Sequence, residues 1–114
     1  MTMKKIEAVI RTSKFLELKE SLNKIGIQFF TYSDVKGVGH QATEKAVYRG
    51  VQYDLGYIAR TKLDIIVSEK VEEVIKCIVD TCKTGELGDG KIFVSNIEEC
   101  VRIRTGERGV PALQ

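Results

Sequence analysis

Leu63-Asp64-Ile65-Ile66-Val67-Ser68 begins a stretch that continues through Val71, Val74, Ile75, Ile78 and Cys82 to Thr84-Gly85-Glu86-Leu87-Gly88-Asp89-Gly90-Lys91-Ile92-Phe93-Val94. The first five residues, apolar around one aspartate, read as a strand. The apolar residues that follow recur at three- and four-residue steps, the spacing of one helix face. Ser68 is placed to cap that helix, and glycine ends it near Gly85. Lys91 to Val94 reads as the next strand, so the unit is strand–helix–strand.

The N-terminal half repeats this order. Lys5 to Arg11 alternates imperfectly, with Ile6, Ala8 and Ile10 on one face. Ser13 can cap a helix with apolar positions Phe15, Leu18, Leu22 and Ile25, stopped by Gly26. Ile27 to Lys36, rich in aromatic and β-branched residues, reads as a second strand. Two such halves predict an α+β, ferredoxin-like split βαβ fold (βαββαβ), a single domain over 1–114. Both helices then cover one sheet face. The other is expected to carry Phe30, Ile66 and similar apolar groups, which favours self-association about a symmetry axis. The connection over 39–57 is polar, without sustained period, and long for a compact domain; such loops are usually functional or disordered.

Bulk properties narrow the class. The chain has 114 residues and a net charge of +2, which argues against a broad nucleic-acid surface. No apolar run approaches the roughly 20 residues of a bilayer span, and no signal-peptide core opens the chain, so a cytoplasmic location is expected. Cys77, Cys82 and Cys100 lack metal-ligand spacing, and His40 is the single histidine. These cysteines read as free thiols in a reducing compartment. No nucleophile–base set is available, so the chain is not expected to be an enzyme.

The chemistry lies in two motifs. Gly85, Gly88 and Gly90 allow backbone N–H groups to approach a ligand closely, and Lys91 adds a positive charge, the layout of an anion cradle. The same residues could equally be a tight turn feeding a strand. Cys100 to Arg104 reads as a bent continuation of the fourth strand or a short fifth. As a strand it would set Arg102 and Arg104 on one face, toward phosphate or simply toward solvent.

Four motifs in order tip that balance: Asp34-Val35-Lys36-Gly37-Val38-Gly39-His40-Gln41, Tyr48-Arg49-Gly50-Val51-Gln52-Tyr53, Thr84 to Val94, and Arg102-Ile103-Arg104-Thr105-Gly106-Glu107. Together they resemble the PII signal-transduction family over nearly the whole chain. The resemblance implies a non-enzymatic homotrimer that binds ATP or ADP between subunits, with Mg and 2-oxoglutarate beside ATP in many members. It also implies a T-loop, here 39–57, that docks on nitrogen-metabolism targets such as an ammonium transporter, the protein's route to the membrane. By position, Gly88, Asp89, Gly90 and Lys91 would cradle phosphates, with Arg102, Ile103 and Arg104 supplied by the neighbouring subunit. Thr31, Asp64 and Ile66 would line the nucleoside pocket. Gly37, Val38, Gly39, His40 and Gln41 would close over it, Gln41 also holding Mg. Arg60 stands where the family usually has a lysine that pairs with 2-oxoglutarate. Tyr53 matches a tyrosine that some bacterial members carry as a uridylylation site. The altered segment Ala42-Thr43-Glu44-Lys45-Ala46-Val47 keeps open an alternative, a divergent adenylate sensor without a 2-oxoglutarate response.

Overall fold

Burial alternates along the first strand: Ile6, Ala8 and Ile10 are buried while Lys5, Glu7 and Val9 are half-buried on the opposite face. That period of two makes β1 (Met3–Arg11) a central strand with one face on a core. The computed structural model describes residues 2–38, 45–48, 51–54 and 58–113. After β1 come a 3-10 turn (Thr12–Lys14), α1 (Phe15–Lys24), β2 (Thr31–Gly37), β3 (Lys45–Tyr48) and β4 (Val51–Asp54). There follow β5 (Ile58–Val67), α2 (Val71–Cys82), β6 (Gly90–Ile97) and a 3-10 turn (Val110–Leu113).

Four strands form one antiparallel sheet in the order β2-β5-β1-β6, the ferredoxin-like arrangement. Leu18 and Leu22 of α1 and Val74, Ile78 and Cys82 of α2 pack on Ile6, Ala8, Ile10, Leu63, Ile65 and Val67. Both helices therefore lie on one face, as the sequence pattern requires. Burial raises the Cys82 thiol to a pKa of about 11, consistent with an inert packing cysteine.

The opposite face is less apolar than expected. Phe30 packs on the helix side, edge-on to Phe15 with ring centroids 6.4 Å apart. Ile66 does face outward, half-buried opposite Lys5. Beside it, Lys5 lies 3.5 Å from Glu7 and 3.6 Å from Asp64, while Lys62 lies 4.0 and 3.9 Å from the same two carboxylates. The register opposing Glu7 to Asp64 would juxtapose like charges without these two lysines.

Several boundaries differ from the sequence reading. β2 begins at Thr31 rather than at Ile27, which still belongs to the end of α1. Gly26 has φ +88°, the Ile27 N–H donates to the Leu22 carbonyl at 2.9 Å, and the Gly26 N–H to the Asn23 carbonyl at 3.1 Å. Those two bonds define a Schellman stop. Neither Ser13 nor Ser68 caps a helix. α1 grows out of the 3-10 turn, and α2 starts after Lys70, a left-handed residue at φ 66°. The Lys70 ammonium donates to the Ile25 carbonyl at 3.0 Å, tying the start of α2 to the end of α1. α2 ends at Cys82 rather than near Gly85, since Lys83 is already extended.

Within the long connection, β3 and β4 pair antiparallel from Lys45 opposite Asp54 to Tyr48 opposite Val51. A hairpin thus occurs where the sequence shows no sustained period. Tyr53 lies opposite Ala46 in it. Gly39, His40 and Gln41 lie outside the described residues.

Candidate functional site

The glycine turn is built around the side chain of Asp89. Its carboxylate accepts from the Thr84 N–H (2.9 Å), the Thr84 hydroxyl (2.5 Å), the Gly85 N–H (3.0 Å) and the Arg11 Nε–H (3.2 Å). These partners, Thr84 foremost, hold the Asp89 carboxyl well below the ordinary carboxylate range. The Arg11 Nη2 donates in turn to the Leu87 carbonyl at 2.8 Å, so one guanidinium fixes both sides of the turn. Asp89 therefore shapes the cradle from within.

Two glycines are obligatory here for different reasons. Gly90 has φ +104°, and a Cβ on it would stand 1.8 Å from the Val9 carbonyl oxygen. The turn enters β6 in direct contact with β1. At Gly88, φ is +95° and the missing side chain leaves room for the Arg60 and Arg11 guanidiniums, 3.0 and 3.4 Å from an ideal Cβ. Arg11 and Arg60 are cross-strand partners in the β1–β5 register. Two like charges placed opposite each other are unfavourable alone and favour an anion between or beside them.

A concavity of about 630 Å³ joins these parts. It is lined by Gly37, Val38, Arg60, Gly88, Asp89, Gly90 and Lys91, all expected from the sequence, together with Val9, Ile58, Glu86, Leu87 and Phe93. A separate concavity of about 690 Å³ gathers Thr31, Asp64 and Ile66 with Lys5, Phe29, Cys100, Ala112 and Leu113. One Asp64 oxygen is buried there without a hydrogen-bond donor. The two concavities share no lining residue. Asp64 and Arg60 are four residues apart on one strand, roughly 13 Å.

The segment after β6 corrects the sequence reading, for Arg102 and Arg104 are not on a strand. Val101 and Arg108 form an isolated antiparallel bridge. The Arg102 N–H donates to the Glu107 carbonyl at 2.8 Å and the Gly106 N–H to the Arg102 carbonyl at 2.7 Å. Gly106, at φ +72°, closes this tight loop. Ile103 is almost fully exposed at its tip beside exposed Arg104. The Arg102 guanidinium turns back onto the Glu107 carboxylate and donates to the Pro111 carbonyl at 2.8 Å. None of these three residues lines the glycine-turn concavity.

Known proteins place this arrangement. The family model for "Nitrogen regulatory protein P-II" matches residues 3–107. The chain belongs to the P-II family. It is 45% identical over 112 residues to the nitrogen regulatory protein P-II of Rhizobium meliloti, covering 97% of this chain and 100% of that one. The P-II protein of Bradyrhizobium diazoefficiens is 46% identical over the same coverage. Among solved structures, Bacillus subtilis GlnK matches with a TM-score of 0.81 and 38% identity over 99% of this chain and 100% of that chain. The B. subtilis GlnK-ATP complex matches at 0.80 and 38%, covering 98% and 96%. Arabidopsis thaliana PII bound to citrate matches at 0.79 and 38%, covering 97% and 92%. Among the described residues of this P-II chain no helix is long and apolar enough to cross a membrane.

Sequence reasoning missed Arg11 and Thr84. Thr84 stands next to a glycine five residues before Asp89, a spacing that permits the turn bonds seen here. Arg11 becomes visible only once β1 and β5 are aligned and its partner proves to be Arg60.

Proposed function

We propose that this chain is a non-enzymatic signalling subunit that binds ATP or ADP between the protomers of a homotrimer and reports the bound nucleotide through residues 39–57. The observation that carries the reading is the division of one site into two halves. The glycine turn, Lys91, Gly37 and Val38 line one concavity; Thr31, Asp64 and Ile66, with Cys100 at the start of the arginine loop, line another. Two unlike patches on one chain join head-to-tail, and a head-to-tail contact that closes gives a ring. Edge strand β6 carries exposed Phe93 and Val94, surface suited to such a contact.

In the assembled site, backbone N–H groups of the turn and the Lys91 ammonium hold phosphates from one side, with Arg102 and Arg104 of the neighbour opposite. Charge-assisted bonds of this kind are the strong class, and arginine's planar fork suits phosphate. The Asp64 carboxylate, on the wall of the second concavity, is an acceptor that the nucleoside would use. Gln41, at the base of the 39–57 segment, would hold Mg when ATP is bound. Contacts made to the γ-phosphate and its metal, and absent with ADP, would then bias the segment's conformers. Its target would be a nitrogen-metabolism protein such as an ammonium transporter. Tyr53 is the candidate modification site.

The guanidiniums of Arg11 and Arg60 at Gly88 suit a carboxylate, and 2-oxoglutarate beside Mg-ATP is part of the proposal. A second reading, adenylate sensing alone, is favoured by Arg11 already being spent on Asp89 and Leu87. Titration calorimetry with 2-oxoglutarate in the presence of Mg-ATP separates the two. Heat below millimolar ligand supports the first reading, and its absence the second. For the nucleotide site itself, ADP at 100 times its Kd should raise stability by about 2.7 kcal/mol, visible as a higher Tm. An unchanged melting curve at millimolar ADP and ATP would overturn the proposal.

A further inference from the structure

Arg102 is not idle in the free chain. Its guanidinium is engaged by the Glu107 carboxylate and the Pro111 carbonyl, with less than a quarter of the side chain exposed. Glu107 is held in place by its own backbone: its carbonyl accepts the Arg102 N–H at 2.8 Å, and its N–H donates to the Thr105 hydroxyl at 3.2 Å. An anionic group thus sits on the cation that the nucleotide reading assigns to phosphate. The same guanidinium reaches the 3-10 turn Val110–Leu113 through Pro111, and that turn places Ala112 and Leu113 on the wall of the Thr31–Asp64–Ile66 concavity.

We propose that Glu107 is a displaceable counter-ion of Arg102, an internal stand-in for phosphate that a nucleotide must evict. The inference rests on the nucleotide reading above. Guanidinium bonds to phosphate and to carboxylate use the same planar N–H donors, so the two partners compete for one group. Each bound phosphate therefore spends part of its interaction free energy on releasing Glu107, which weakens affinity without altering the rest of the pocket. The neighbouring pair Arg108–Glu99, at 3.3 Å, does not involve Arg102 and serves as the internal control.

The test is calorimetric titration of the full chain with ADP and, separately, with adenosine. E107Q keeps the size of the side chain but removes its charge. ADP should then bind about threefold to fivefold more tightly than to the unaltered chain, the scale of a partly exposed ion pair. Adenosine affinity and the ADP affinity of E99Q should stay unchanged. E107A, which removes charge and reach together, must shift ADP binding in the same direction. Weaker or equal ADP binding by both Glu107 variants overturns the counter-ion role and leaves the nucleotide site standing. An equal gain for adenosine also overturns it, since adenosine has no phosphate to compete. No ADP binding by the unaltered chain or by any variant removes the nucleotide reading and the counter-ion role with it.

Discussion

A Cβ on Gly90 would meet the Val9 carbonyl at 1.8 Å, whereas Gly106 in the arginine loop has nothing within 4 Å of the same position. Both are positive-φ glycines beside cations that the proposed function assigns to phosphate, yet they belong to different kinds of structure. The glycine turn is welded to the sheet: Gly90 lies against β1, and Asp89 gathers Thr84, Gly85 and Arg11. By contrast, the arginine loop is held by an isolated bridge, its own backbone hydrogen bonds and its ion pairs. One half of the proposed site is built into the fold, and the other is held by contacts that a ligand can replace.

The largest effect expected from this contrast is on stability. G90A must displace the β1 backbone and should cost roughly 3 kcal/mol, read as a lower midpoint in urea. G106A meets only the dihedral penalty and should cost about 1 kcal/mol. Equal losses would erase the distinction between a welded and a free-standing turn.

Next in size are the cations. K91A and R102A should each weaken ADP by about tenfold to a hundredfold, the range of a lost charge-assisted bond. Both should leave adenosine nearly unaffected. A drop in adenosine affinity as large as that for ADP would mean that the pocket, and not the phosphate grip, had been damaged.

Asp89 offers a smaller, pH-dependent test. Its carboxyl is depressed in the folded chain, chiefly by Thr84, so the unfolded state binds its proton first as pH falls. The stabilisation is complete above the ordinary aspartate pKa of about 3.9 and is lost progressively below it. D89N should therefore flatten the acid limb of the stability curve below about pH 4 and leave its slope near neutrality unchanged. An acid limb identical to that of the unaltered chain would show that the turn does not depend on this carboxylate.

Much of this was legible in the sequence. The 3.6-period stripe Val71, Val74, Ile75, Ile78, Cys82 and the alternation Ile6, Ala8, Ile10 are direct images of the core, and they fixed element types and the shared helix face. Gly26 announced the end of α1 because no other residue occupies φ +88° so cheaply. Phe30, expected on the open face, packs toward Phe15 instead, because its face depends on where β2 begins and that point is not set by local pattern. The Arg102–Arg104 segment misled because alternating charge and apolar residues imitate a strand. Thr105 and Gly106 close it into a loop, a matter of local turn chemistry rather than period. Arg11 is a longer-range case, since only sheet topology reveals its partner.

Subunit complementation bears most directly on the central claim that one nucleotide is held by the turn of one protomer and the arginine of the next. K91A and R102A chains, each unable to bind ADP tightly, would be mixed in equal amounts, unfolded and refolded together. A site shared between protomers regains an intact turn and an intact arginine at about a quarter of positions, so tight ADP binding reappears at that stoichiometry. If the refolded mixture binds no better than its parents, while unaltered protein survives the same treatment with full binding, the two halves do not meet across a subunit boundary.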